Sequence, residues 1–73
     1  MAAIDAHWDA PAAPVTAKIR KALENPHVLV RYQAAVTLGR FGDADSVNAI
    51  ATRLGDPSKL VQRGAAWSLR QIA

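Results

Sequence analysis

The residues able to do chemistry are few and scattered. The stretch "DAHWD" sets Asp5, His7 and Asp9 close together, and carboxylate and imidazole are donors a divalent cation accepts. Their spacing fits no zinc-binding helix motif. On a helix, Asp5 and Asp9 fall one turn apart on one face, with His7 turned away. The only other histidine, His27, is distant in sequence. No metal site is therefore expected. The chain has no cysteine, which removes disulfides, thiolate zinc sites and cysteine nucleophiles together. It also shows no nucleophile–base–acid set, no glycine-rich phosphate loop and no carboxylate pair on a credible face. The expectation is a non-enzyme with no catalytic residue and no cofactor.

Charge offers more. Nine Lys and Arg against six Asp and Glu give a net charge of +3. Asp5 and Asp9 sit near the start, so the remainder is more basic still. Lys59, Arg63 and Arg70 surround Trp67, and Lys18, Arg20 and Lys21 form a second cluster. Such surfaces admit phosphate or carboxylate, or simply keep a helix solvated.

These residues must be positioned by helices, and the helices repeat. Set "DPSKLVQRGAAWSLRQIA" (56–73) over "NPHVLVRYQAAVTLGRFG" (25–42), a shift of 56 − 25 = 31. Pro26 falls on Pro57, Leu29 on Leu60, Val30 on Val61, Ala34 and Ala35 on Ala65 and Ala66, and Leu38 on Leu69. Ile19 and Leu23 fall on Ile50 and Leu54. A fixed period that keeps apolar positions in step marks a repeat architecture. Val61, Ala65, Leu69 and Ile72 recur as one face of a 3.6-residue helix, as do Val30, Ala34, Leu38 and Phe41. Val47, Ile50, Ala51 and Leu54 define a second helix type. Asn25-Pro26 and Asp56-Pro57 read as N-cap plus first-turn proline, Asp43 or Asp45 as a cap, and Gly42 and Gly55 as left-handed C′ residues. Helices are expected at about 14–24, 26–40, 45–54 and 57–72. Residues 1–13 read as a leader or as a short degenerate helix with Ile4 and Trp8 one turn apart.

The quoted stretches, together with "DADSVNAIATRLGD", resemble short HEAT repeats of the phycobilisome-lyase or armadillo-like kind. The shared features are the D/N-P turn, the V-R pair, the double Ala, the Leu followed by Gly, and a shorter second helix ending at Gly-Asp. Gln62 departs from the pattern's Arg, Gly64 is an unusual helix-interior choice, and Trp67 replaces a small or aliphatic residue. The resemblance implies an all-α fold, an α-solenoid of antiparallel helix pairs. Residues 14–24 form the second helix of a partial repeat, 25–55 a full repeat, and 56–73 the first helix of a further one. It also implies that Arg31 reaches an acid in the adjoining turn, with Asp56 as partner.

The family's pattern would place another helix over the apolar face of 56–73. The expectation is either an excised piece of a longer solenoid or an end closed by another chain, a twofold dimer being the simplest arrangement. Trp67 clusters with Leu60 on the helical wheel, away from the Val61–Ala65–Leu69 face. It reads as lateral packing between stacked helices or as an exposed anchor of the kind favoured at interfaces. The expected function is a non-enzymatic protein-interaction module or scaffold, with Leu60, Arg63, Trp67, Leu69, Arg70 and Ile72 as the interaction surface. One alternative is an accessory domain of an enzyme, such as a bilin-lyase-like or redox protein. The other is nucleic-acid binding through a basic face, but Arg53 alone continues the Lys18–Arg20–Lys21 cluster in the next repeat, so the basic ladder is missing. No apolar run approaches a membrane span, no signal peptide is visible, and the compartment stays open.

Overall fold

The computed structural model describes residues 13–72. Four α-helices follow in order: α1 (Ala13–Ala22), α2 (Val28–Phe41), α3 (Val47–Thr52) and α4 (Lys59–Ile72). One-turn 3₁₀ segments, Ala44–Ser46 and Arg53–Gly55, flank α3. The described residues contain no strand. The architecture is the all-α stack of helix pairs that the repeat predicts.

Each helix forms at its expected place, but two starts shift. The Asn25 and Asp56 side chains do not cap helices. Asn25 Oδ1 accepts the His27 N–H at 2.9 Å, and Asp56 Oδ1 accepts the Ser58 N–H at 2.8 Å. These are Asx turns, in which a short polar side chain mimics a backbone turn. The prolines therefore lie in the turns, and the helical ladders begin later, with Arg31 N–H on the His27 carbonyl and Gln62 N–H on the Ser58 carbonyl. Asp43 precedes the 3₁₀ turn without a side-chain cap, because its carboxylate is engaged by Ser46 and Arg20.

Gly42 closes α2 as expected, at φ 64° and ψ 34°. The Asp43 N–H reaches the Leu38 carbonyl and the Gly42 N–H reaches the Gly39 carbonyl, which is a Schellman motif. Gly55 differs. Gly42 is the one described residue with positive φ, and Gly55 sits in a 3₁₀ turn whose last bond runs from the Asp56 N–H to the Arg53 carbonyl.

The core gathers Leu23, Ala34, Ala35, Leu38, Ile50 and Ala65, with Ile19, Ala22, Ala49, Leu69 and Ile72 packed against them. All four helices contribute. Of the apolar row expected on the third helix, Ile50 is buried, Val47 half-buried, and Ala51 and Leu54 exposed. Val30 was expected inward and is 38% exposed.

The closest packing joins α2 to α4, the two first-type helices. A Cβ added at Gly39 would lie 2.7 Å from the Ser68 Cα, so only glycine permits this approach. The buried Ser68 hydroxyl donates to the Ala35 carbonyl. Gly64 plays the same part from the other side, since a Cβ there would stand 2.9 Å from the Tyr32 ring. That contact accounts for a glycine inside a helix.

Gly39→Ala should therefore force the helices apart. Overpacking costs about 1–3 kcal/mol and the loosened hydrogen bond about 1 kcal/mol, against about 1 kcal/mol gained in helix propensity. The expected net loss is about 2 kcal/mol, a fall in Tm of roughly 8–16 °C by thermal denaturation. Adding Ser68→Ala should not rescue it, because the obstacle is backbone.

Candidate interaction surface

The outer face of α4 is held in place by a buried carboxylate at its entry. Asp56 is 2% exposed. Arg31 on α2 grips it side-on, Nε to Oδ2 at 2.9 Å and Nη2 to Oδ1 at 3.2 Å. Arg31 Nη1 donates to the Asn25 and Pro26 carbonyls, each at 2.9 Å. Arg53 Nη1 adds a contact to Oδ2 at 3.3 Å. Arg31 thus bridges its own turn to the next repeat's turn, as the resemblance implied. Gln62, one period later, donates from Nε2 to the Asp56 carbonyl at 2.6 Å. It makes the backward half of the same link.

Burial is the largest influence on Asp56 and pushes its carboxyl pKa up. The Arg31 hydrogen bonds, the Ser58 N–H and the charges of Arg31 and Arg53 outweigh it, leaving the group below its ordinary value. Asp43 is also lowered, first by the Ser46 hydroxyl and, against a smaller push from burial, by Arg20. Arg20 binds Asp43 Oδ2 at 3.0 Å and Ser46 Oγ at 2.8 Å.

This second network breaks up the basic cluster read from sequence. Arg20 is committed to Asp43, while Lys18 and Lys21 are exposed. A cleft between α1 and α3 contains Arg20, Lys21, Glu24 and Arg53. Both of its arginines are already paired with carboxylates.

The six surface residues expected on α4 divide into two groups. At about 100° per residue, Leu60, Arg63, Trp67 and Arg70 share one side, and Leu69 and Ile72 lie roughly opposite. Leu69 and Ile72 are half-buried against the core. Leu60 is 40% exposed, Arg63 and Arg70 are exposed, and Trp67 is half-buried. Trp67 thus has one side in the packing and one in water. Sequence reasoning passed over Leu29, which at 62% is the most exposed large apolar residue described. The signal was present, since Leu29 is the 31-residue equivalent of Leu60. Together they place a leucine at the same position of two adjacent first-type helices.

The described residues hold no group of three metal-ligating side chains. Asp5, His7 and Asp9 lie outside them. No helix of the described residues is long and apolar enough to cross a membrane.

A family model for HEAT repeats matches residues 16–73, from within α1 through α4. The chain belongs to the HEAT-repeat family. No curated protein matches it significantly. HEAT repeats generally mediate protein–protein interaction, and here the repeat is built around the Arg31–Asp56 link and the glycine-lined contact of α2 with α4.

Removing Arg31 should expose the cost of the buried carboxylate. Arg31→Ala leaves Asp56 with Arg53 as its one charged partner, beside the Ser58 N–H, and should cost about 3–5 kcal/mol near neutral pH. A depressed carboxyl contributes its stability above the unfolded pKa of about 3.9 and loses it as pH falls through the folded value. Urea denaturation at about pH 7 and about pH 3 should thus show a large gap between wild type and variant that narrows in acid. A gap independent of pH would mean that Arg31 acts by packing alone.

Proposed function

We propose that this HEAT-repeat chain is a non-enzymatic protein-binding module whose partner lies across α2 and α4, on the side bearing Leu29, Leu60, Arg63, Trp67 and Arg70. The observation that carries this reading is the repeated leucine. Leu29 and Leu60 are 62% and 40% exposed at equivalent positions, on helices packed about 8–10 Å apart. Apolar area repeated at helix spacing, beside a half-buried tryptophan and two exposed arginines, has the composition of an interface centre with a charged rim. Trp67 and the arginines are residue types that carry binding energy disproportionately. The rim is basic, so the complementary partner surface is acidic. Leu69 and Ile72 support this face from beneath.

A photo-crosslinking residue in place of Leu60 should give a discrete protein adduct in the native host. The same residue at Val15, exposed on α1, should not. Adding Trp67→Ser should abolish the adduct while circular dichroism shows retained helix. A self-adduct would identify a second copy of the chain as the partner. Equal labelling from Val15, or none from Leu60, would refute this surface.

A further inference from the structure

We infer that the cleft between α1 and α3 binds a short acidic segment of a partner protein, with its carboxylates taken by Arg20, Lys21 and Arg53. The cleft has a volume of about 610 Å³, within the roughly 300–1,000 Å³ of sites that hold small ligands. Its α1 side presents Arg20, Lys21 and Glu24, and its α3 side Thr52 and Arg53. Ala17, Leu23 and Ala49 supply the apolar part of the wall. From Ala17 to Glu24 is about 10 Å of helix and turn, the length of about three extended residues.

A comparison with Arg31 singles out these arginines. All three nitrogens of the Arg31 guanidinium are engaged inside the protein. Arg20 commits Nε to Ser46 and Nη2 to Asp43, and Arg53 commits Nη1 to Asp56. Among the described residues, Arg20 Nη1 and Arg53 Nε and Nη2 have no partner. A guanidinium carries five N–H donors in a fixed plane, so anchoring one edge aims the others. The anchoring side chains of Asp43 and Asp56 are 15% and 0% exposed, against 32% and 23% for Arg20 and Arg53. The counter-charge thus lies inside and the donors reach water. Asp56 also divides one negative charge between two arginines. Lys21 has no ion pair among the described residues, so the cleft is net positive even with Glu24 in its wall. The repeat does not require these charges. One period away, Arg20, Lys21 and Glu24 are matched by Ala51, Thr52 and Gly55, and Arg53 by Ala22.

A carboxylate is the planar partner of a guanidinium edge, and preformed donors lower the ordering cost of binding it. Glu24 decides between carriers of the negative charge. It accepts a backbone N–H, which a peptide offers beside each acidic side chain, and it repels a polyanion with a phosphate at every unit. The alanines and Leu23 suit the methylenes of a glutamate. The cleft lies on helices other than α2 and α4, so it stands or falls separately from the surface proposed above.

Hexaglutamate is the probe, titrated at low ionic strength into ¹⁵N-labelled protein, with a thymidine oligonucleotide of equal charge as the comparison. The Arg20 and Arg53 Nε–H resonances and the Lys21 and Thr52 amides should shift saturably with hexaglutamate, and several-fold less with the oligonucleotide at the same concentration. Lys21→Glu and Thr52→Glu, both at exposed positions, should each weaken the hexaglutamate affinity about fivefold or more, with helix retained by circular dichroism. Shifts confined to Arg63 and Arg70 would support the α4 surface and overturn the cleft. Equal shifts from the oligonucleotide, no saturable shift at Arg20 and Arg53, or an affinity unchanged in either variant would overturn it too.

Discussion

Asp56 is a carboxylate removed from water at the junction of two repeats, and the arrangement around it depends on keeping that charge compensated. A lone buried carboxylate is costly enough that it would rather take up a proton. Here two guanidiniums and a backbone N–H hold it ionised. The groups that satisfy it come from three places: α2, the 3₁₀ turn after α3, and the start of α4. Meeting the needs of one side chain therefore fixes how three segments meet. Arg31 extends the constraint backward by holding the Asn25 and Pro26 carbonyls, so consecutive turns are tied through one planar group.

The second constraint is distance. Alanines and glycines at the α2–α4 contact let two helix backbones approach until a serine hydroxyl on one reaches a carbonyl on the other. Small side chains bury little area each. Their contribution is proximity, which lets the larger Leu23, Leu38 and Ile50 share one core. A chain of this length has no surplus stability to spend on voids, so small residues at the seam and large ones at the centre make a division of labour.

Much of this is legible in the sequence, because a repeat states its contacts twice. The 31-residue period gives the helix number and the order of helix types, and the family resemblance adds the Arg31–Asp56 partnership. What escapes it is whatever has no counterpart one period away. Arg20 corresponds to Ala51, so nothing in the repeat announces its commitment to Asp43, and it reads as a free cation. Asn25-Pro26 fits a cap and an Asx turn equally well, and only the position of the first helical hydrogen bond separates them. Val30 reads as core because its equivalent is core. Periodicity reports the type of environment, while exposure depends on which neighbour stands beside it. The α4 face lay in between: Leu60, Arg63, Trp67 and Arg70 cluster as the wheel suggests, but Leu69 and Ile72 belong to the inner side.

Gln62 differs from Arg31 in what its link carries. Arg31 cannot leave Asp56 without stranding a charge away from water, so the α2–α4 junction is effectively permanent while the domain stays folded. Gln62 repeats the grip on its own turn but brings no charge forward. A neutral amide that loses a partner strands nothing of that kind, and its hydrogen bonds are readily replaced by water. Gln62 therefore fastens α4 to its own turn without adding a buried charge, whereas Arg31 carries its charge across to the carboxylate of the next turn.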